Sequence, residues 1–575
     1  MKRMVAALTL AAASLAAPAG AATAPTAEQM KAVRDRLPED EVIYFVLPDR
    51  FENGDPANDR GGMKGDRLVH GFDPAHKGFY HGGDLKGLLS RLDYVQNLGV
   101  TAVWFAPIFR NKPVQGGPGQ QSAGYHGYWV TDFTTIDPHF GTETEFKAFV
   151  DAAHARGMKV YMDIITNHSA DVIQFAECPN SACPYRSLAD YPGQAYTPIV
   201  PKGEERVKAP AWMNDPQYYH NRGNTTFKLE DELLGDFVGL DDFATSDPRV
   251  IDGFIAVYKD WIDRFGIDGF RIDTAKHVHP IFWQKFIPAI TAHAAARGIP
   301  NFHIFGEVYA DGVDVPIQTW HTIVARLPTV IDFAFRRTAI DTVSGKAGTE
   351  ALATLFRSDA LYAGGEARAR QLPTFIGNHD QGRFAREMRL AHPGADDAEI
   401  LRRVLLGHAM LLTLRGVPTI YSGDEQGFAG DGNDQDARED MFPSQVAVYN
   451  DNDLVGTDAT TADSNFDSDH PIYREIAAFA RLRAGSSALR RGEQIVRAFS
   501  AKPGLFAVSR IDRATGEEIF AAFNTSNAPL TANAEIGGSA TALTPLMGPC
   551  PAAPRVPGSI AVSLPPLGYM LCRVR

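Results

Sequence analysis

Eight short runs of strand-forming residues constrain this 575-residue chain more than any other feature, at 42–47, 101–105, 159–165, 269–272, 302–305, 330–333, 374–376 and 419–421. Amphipathic helical stretches separate them, among them 84–98, 143–156, 247–265 and 398–414. Such alternation calls for parallel strands joined by helical crossovers, and eight units point to a closed barrel rather than an open sheet. The expected architecture is therefore α/β, a TIM (β/α)8 barrel over residues 25–168 and 243–485. In such barrels the reactive side chains sit at the carboxyl ends of the strands.

Two regions break the pattern. Residues 169–242 are rich in Pro, Asn, Gly and Tyr and show little helical period. Long irregular stretches inside a compact domain are usually functional excursions, so a subdomain inserted after the third strand is expected. From residue 486 the chain turns to short alternating runs at 494–499, 505–509, 518–524, 559–564 and 568–574. That spacing predicts an all-β sandwich over 486–575.

The first residues stand apart from the fold. Lys2 and Arg3, an apolar run over 4–17 and the triplet Ala19-Gly20-Ala21 have the form of a secretory signal peptide, residues 1–21. The run is shorter than the roughly 20 apolar residues of a membrane span. A secreted or periplasmic location follows, and disulfides become permissible there. Cys178 and Cys183 bracket a short turn-like loop, and Cys550 and Cys572 flank the last strands. Pairing within each couple is expected, although four cysteines allow three connectivities. A metal site is the rival reading, but neither couple has the C-x-x-C spacing of a zinc knuckle.

Composition narrows the partners. Hydrophobic residues make up 44% and charged ones 22%, which is ordinary globular usage and excludes wholesale disorder. The net charge of −13 argues against nucleic acid and anionic membranes and suits a neutral ligand or a cation. A monomer without a membrane span is expected.

Four stretches at strand ends carry the chemistry. They are Asp163-Ile164-Ile165-Thr166-Asn167-His168, Gly269-Phe270-Arg271-Ile272-Asp273-Thr274-Ala275-Lys276-His277, Phe305-Gly306-Glu307-Val308 and Phe375-Ile376-Gly377-Asn378-His379-Asp380. The last three each place an acid just beyond a strand-forming run. One carboxylate at a strand end is most often structural. Three of them, Asp273, Glu307 and Asp380, with Arg271, His168 and His379 alongside, point instead to a shared reactive mouth.

In order and spacing these segments resemble the four signature regions of the α-amylase superfamily, glycoside hydrolase family 13, and the likeness runs from about Val42 to the C-terminus. The resemblance implies a retaining glycosidase. Asp273 matches the nucleophile, Glu307 the acid/base, and Asp380 the carboxylate that holds sugar hydroxyls and stabilises the transition state. Retaining chemistry needs one carboxylate to attack the anomeric carbon and one protonated carboxyl to serve the leaving oxygen. Arg271, two residues before Asp273, would keep the nucleophile ionised, and neighbouring carboxylates would raise the proton affinity of Glu307. His168 and His379 match positions around the sugar at the cleavage point, and Lys276, on the same stretch as Asp273, is a further candidate substrate contact.

Further segments fit the same resemblance. Gly124-Tyr125-His126-Gly127-Tyr128-Trp129 is similar to the family's aromatic stretch, with Tyr128 stacking on a glucose and His126 beside it; core packing of those rings is the rival. Asp434 and Arg438 have the spacing of a sugar-binding pair, with solvated surface charges as the alternative. Calcium is the implied metal, held by Asn167, Asp242 and the His277 carbonyl between insert and barrel. The stretch with Asn53, Asp55, Asn58 and Asp59, followed by Gly82 and Asp84, resembles the N-terminal calcium loop of cyclodextrin glucanotransferases and neopullulanases. It could equally be a turn carrying solvated charges, and its spacing is not that of an EF-hand.

Within the superfamily the chain is most similar to an α-amylase that cleaves internal α-1,4 bonds of starch-type glucans. Val238-Gly239-Leu240-Asp241-Asp242 does not match the neopullulanase sequence at that place. Cyclodextrin glucanotransferases carry a large aromatic residue where this chain has Val238. A glucanotransferase, cyclomaltodextrinase, neopullulanase or α-glucosidase remains the alternative, because hydrolysis and transfer differ only in what attacks the glycosyl-enzyme. A catalytically dead binding module would have lost one of the three carboxylates, and all three are present.

Overall fold

Each of the eight expected runs overlaps a strand in the computed structural model, which describes residues 25–178 and 182–575, although the sixth and seventh share only Val330 and Thr374 with theirs. The signal peptide expected at 1–21 lies outside the described residues. The strands are β1 (Ile43–Val46), β2 (Ala102–Phe105), β3 (Lys159–Ile164), β4 (Gly269–Ile272), β5 (His303–Gly306), β6 (Thr329–Val330), β7 (Pro373–Thr374) and β8 (Val417–Tyr421). They lie side by side in the order β6, β5, β4, β3, β2, β1, β8, β7, and every pairing is parallel. The Asp332 N–H donates to the Pro373 carbonyl at 2.9 Å, so the ends of the sheet meet and the barrel closes.

Burial on both faces explains the mostly apolar character of these runs. Inside the barrel the Phe45 ring lies 4.0 Å from Trp104 and 5.5 Å from Tyr421, centroid to centroid. The outer helices begin and end where local chemistry says they should. Pro248–Phe265 starts at Asp247, whose carboxylate accepts from Arg249 N–H, and stops at Gly266 in the left-handed conformation. Glu143–Ala155 opens with a Thr142/Glu145 capping box. The stretch 84–98 forms two helices, Leu85–Ser90 and Leu92–Asn97, rather than one.

The sixth strand differs from its expectation at 330–333. It ends at Val330, and a helix begins at Phe333. Asp332 makes the change, because its carboxylate accepts from Phe335 N–H as a helix cap while its other oxygen pairs with buried Arg415. The apolar residues around it belong to a strand end and a helix start.

Two excursions leave the barrel. After β3, His168–Ser169 pairs antiparallel with Asp241–Asp242, so the insert departs and returns through one short ladder. The Cys178–Cys183 disulfide lies within it. After β2, Phe109–Asn111 pairs with Val130–Ile136, a second excursion that sequence periodicity did not reveal. At the C-terminus five strands form one antiparallel sheet, and Leu530–Glu535 with Ser559–Leu564 form a two-stranded partner. Phe520, Ala522, Ile560, Val562 and Cys572 share the core between them. Leu530–Glu535 and Leu543–Met547 are strands beyond those expected, and Cys550 is bonded to Cys572. Among the described residues no helix is long and apolar enough to cross a membrane.

Candidate active site

Asp273 follows the last residue of β4, and Glu307 follows the last of β5. Asp380 sits in a tight turn after β7, where Asn378 N–H and Gly382 N–H each donate to the other's carbonyl at 3.2 Å. All three line one cavity of about 740 Å³, together with His126, Tyr128, His168, Lys276, His277, Asp434 and Arg438. The β2 excursion, the insert, and the β7 and β8 loops therefore converge on one mouth. Arg271 and His379, each 1% exposed, stand behind this lining.

Arg271 organises the acids. Its Nη1 donates to Asp163 Oδ1 at 2.9 Å and to Asp273 Oδ1 at 2.8 Å, and its Nη2 donates to Glu307 Oε2 at 2.7 Å. Thr274 N–H also reaches Glu307 Oε2, at 3.0 Å. Asp163 is a residue the sequence reading passed over as a site member. It is fully buried, stands opposite Arg271 in the β3–β4 register, and accepts from Trp104 Nε1 and the Tyr128 hydroxyl at 3.1 Å each. A lone acid inside an otherwise apolar strand was the available signal.

Burial dominates the electrostatics. It pushes Asp273 and Glu307 each up to about 7, against the downward pull of Arg271, and the remaining upward push comes from other carboxylates. For Asp273 these are Asp163 and Asp380; for Glu307 they are Asp273 and Asp380. Neighbouring carboxylates thus act on Glu307 as expected but are secondary to desolvation. The guanidinium is where it was expected on Asp273, yet burial outweighs it. The same effect lowers His168 to about 3 and holds His126 and His379 well below the usual imidazole range. These three rings are neutral near pH 7 and each can donate one N–H. His379 Nε2 lies 3.0 Å from the Tyr128 hydroxyl and 3.2 Å from Asp380 Oδ2.

On the β8 side, Arg438 Nη2 donates to Asp380 Oδ1 at 3.0 Å and forms an ion pair with Asp434 Oδ1 at 2.5 Å. Arg438 therefore joins the expected pair to a second carboxylate, that of Asp380. Lys276 Nζ pairs with Glu232 of the insert at 2.5 Å. Val238 and Tyr309, 71% and 38% exposed, also face the cavity.

Two oxygen clusters lie elsewhere. At the insert base, Asn167 Oδ1 is buried without a hydrogen-bond partner among the described residues. Asp242 is buried beside Asp236, burial raises both carboxyls well above the usual range, and Asp242 raises Asp236 further. The donor-free Asn167 Oδ1 suits a hard cation, whereas Asp242 Oδ2 already pairs with His220 Nδ1 and would have to exchange that partner. In the N-terminal loop Asn53 Oδ1 and Asn58 Oδ1 are likewise buried and unpartnered, and burial raises Asp59 to about 6. Gly82, at φ +98, lets the chain approach this group, since a Cβ there would meet Asn53 and Asp59 at 2.6 Å. Asp84 instead accepts from the backbone N–H groups of Gly54, Asp55 and Gly87, and the Asp55 side chain turns to Lys86.

A closed barrel whose fourth, fifth and seventh strands each deliver a carboxylate to one cavity, beneath an insert after the third, defines a class of protein. The family model Alpha amylase, catalytic domain matches residues 45–492, and the chain belongs to that family. It is 42% identical over 532 residues to an α-amylase of Streptomyces lividans, covering 88% of this chain and 58% of that protein. With Neopullulanase 2 of Thermoactinomyces vulgaris it shares 32% identity over 70% of this chain and 58% of the relative. The chain thus spans little more than half the length of these relatives. Among solved structures an Anoxybacillus α-amylase superposes with a TM-score of 0.70 at 28% identity, covering 94% of this chain and 99% of that one. CldA, a cyclomaltodextrin glucanotransferase with three domains, superposes at 0.72 and 26% identity, covering 93% and 99%.

Proposed function

We propose that this protein hydrolyses internal α-1,4-glucosidic bonds of starch-type glucans and maltooligosaccharides with retention of configuration. The observation that carries the reading is one buried guanidinium, Arg271, bridging Asp273 and Glu307 at the wall of a cavity that Asp380 also lines. Asp273 attacks the anomeric carbon, and Glu307 gives its proton to the departing glycosidic oxygen, leaving a covalent glycosyl-enzyme. Glu307, now ionised, takes a proton from water as that water attacks the intermediate, which frees Asp273. Arg271 and Thr274 N–H both hold Glu307 through Oε2, which leaves Oε1 to carry the proton. Asp380, steadied by Arg438, binds sugar hydroxyls as charge develops on the ring.

Calcium fits the oxygen clusters as a structural ion. Asn167, Asp242 and the His277 carbonyl would hold one between insert and barrel, and Asn53, Asn58, Asp59 and the Gly82 carbonyl another. Asp55 and Asp84 would join the second after exchanging their present partners. Export fits the two disulfides, which persist in oxidising compartments, and the enzyme acts as a monomer.

Val238 presents no ring to an incoming chain end, so water should compete well for the intermediate. Chromatography of digests of soluble starch, maltoheptaose and pullulan is expected to show short linear maltooligosaccharides and at most traces of cyclodextrin. Dominant cyclic or lengthened products would overturn hydrolysis in favour of transfer. Panose from pullulan would move the protein towards neopullulanases.

A further inference from the structure

We propose that Arg383 is a positioning residue for Asp380, acting through a pair of arginines that the β7 and β8 loops exchange; this rests on the role given to Asp380 above. Arg438 crosses from the β8 loop to the β7 loop. Its Nη2 holds Asp380 Oδ1 at 3.0 Å and its Nε donates to the His379 carbonyl at 3.1 Å. Arg383 crosses the other way. Its Nε donates to Glu439 Oε2 at 3.0 Å, and its Nη1 donates to the Ser422 carbonyl at 2.7 Å and to Asp424 Oδ1 at 3.0 Å.

The anchor is rigid. Arg383 is 1% exposed, and its guanidinium lies 3.9 Å above the Tyr421 ring at the end of β8. Asp424 and Glu439, 5% and 4% exposed, are buried with it. Glu439 directly follows Arg438 in the chain, so the Arg383–Glu439 bond fixes the backbone from which Arg438 reaches back to Asp380. Only Gln381 and Gly382 separate Arg383 from Asp380, and the turn between them has little freedom. Asn378 Oδ1 accepts from Asp380 N–H at 3.2 Å and from Gln381 N–H at 2.7 Å. At Gly382, φ +82, an added Cβ would meet the Gly432 carbonyl at 2.8 Å and Asn433 Oδ1 at 2.9 Å. The turn carrying Asp380 therefore abuts the β8 loop and is laced to it in both directions.

A bridge that served only stability would lower the melting temperature and leave the reacting groups' cooperation untouched. A positioning bridge has a different signature, because displacing a catalytic group by about 1 Å costs on the order of 10²-fold in rate. Double-mutant cycles separate the two, since residues acting as one unit are strongly non-additive. The test measures kcat and KM on a short chromogenic maltooligosaccharide for Arg383→Met, Asp380→Asn and the double variant. Arg383→Met is expected to lower kcat by about 10²-fold with KM within about threefold, and by less than about threefold in the Asp380→Asn background. Equal loss in both backgrounds, or a rise in KM with kcat unchanged, would overturn the inference and leave the catalytic reading intact. Full activity of Asp380→Asn would sink both. Should Arg383→Met fail to fold, Glu439→Gln takes its place in the same cycle under the same criteria.

Discussion

Asp273→Asn and Glu307→Gln are each expected to lower kcat on an α-1,4-glucan by about 10⁴-fold or more, equivalent to about 5 kcal/mol of lost transition-state stabilisation. Asparagine cannot form the glycosyl ester, and glutamine cannot give a proton to the leaving oxygen. Neither substitution should unfold the protein, and at high pH both should stabilise it. The two carboxyls rise to about 7 in the folded state from ordinary values of 3.8 and 4.5. Between about pH 4 and 7 the folded protein therefore binds more protons than the unfolded chain, and stability falls as pH rises through that window. Above it, wild type carries buried carboxylates whose desolvation the amide variants avoid. Their melting temperatures should exceed wild type at pH 8, with the gap closing towards pH 4. Near-full activity in either variant would refute the catalytic assignment, and a lower melting temperature at pH 8 would refute the electrostatic account.

Calcium removal should have the second-largest effect. An ion bound only by the folded state at a thousandfold excess over its Kd contributes about 4 kcal/mol. Chelation should therefore lower the melting temperature, and added calcium should restore it. Asn167→Ala and Asp242→Ala should melt lower than wild type and respond less to chelator, because the insert-base oxygens would no longer hold the ion. The unpartnered Asn167 Oδ1 and the raised Asp242 carboxyl motivate this expectation. Metal analysis of the purified protein distinguishes a tightly held ion from none. A calcium-free protein with a chelator-insensitive melting temperature would refute the proposal.

The barrel was legible because its strands, buried on both faces, leave mostly apolar runs, and because acids directly after such runs stand out. Asp273 and Glu307 were found that way. Asp163 was not, although it touches Arg271, because its meaning depends on a register between β3 and β4 that no local pattern encodes. Arg383 was missed for a similar reason, since its partners Asp424 and Glu439 lie 41 and 56 residues away. The sixth strand was read too long because Asp332, a helix cap, sits among apolar residues that continue the strand pattern. The β2 excursion escaped because its first strand has only three residues and its register against Val130–Ile136 shifts twice. Val238 shows a further limit: its lack of a ring was plain, but its exposure at the cavity wall with φ +54 depends on the conformation of the insert.

The most direct test of the central claim is proton NMR of the first products released from maltoheptaose, recorded before mutarotation scrambles the new reducing end. Nucleophilic attack by Asp273 followed by water attack on the glycosyl-enzyme inverts the anomeric carbon twice, so the newly formed end should be the α-anomer. A β-anomer would mean a single displacement by water and a different role for Asp273.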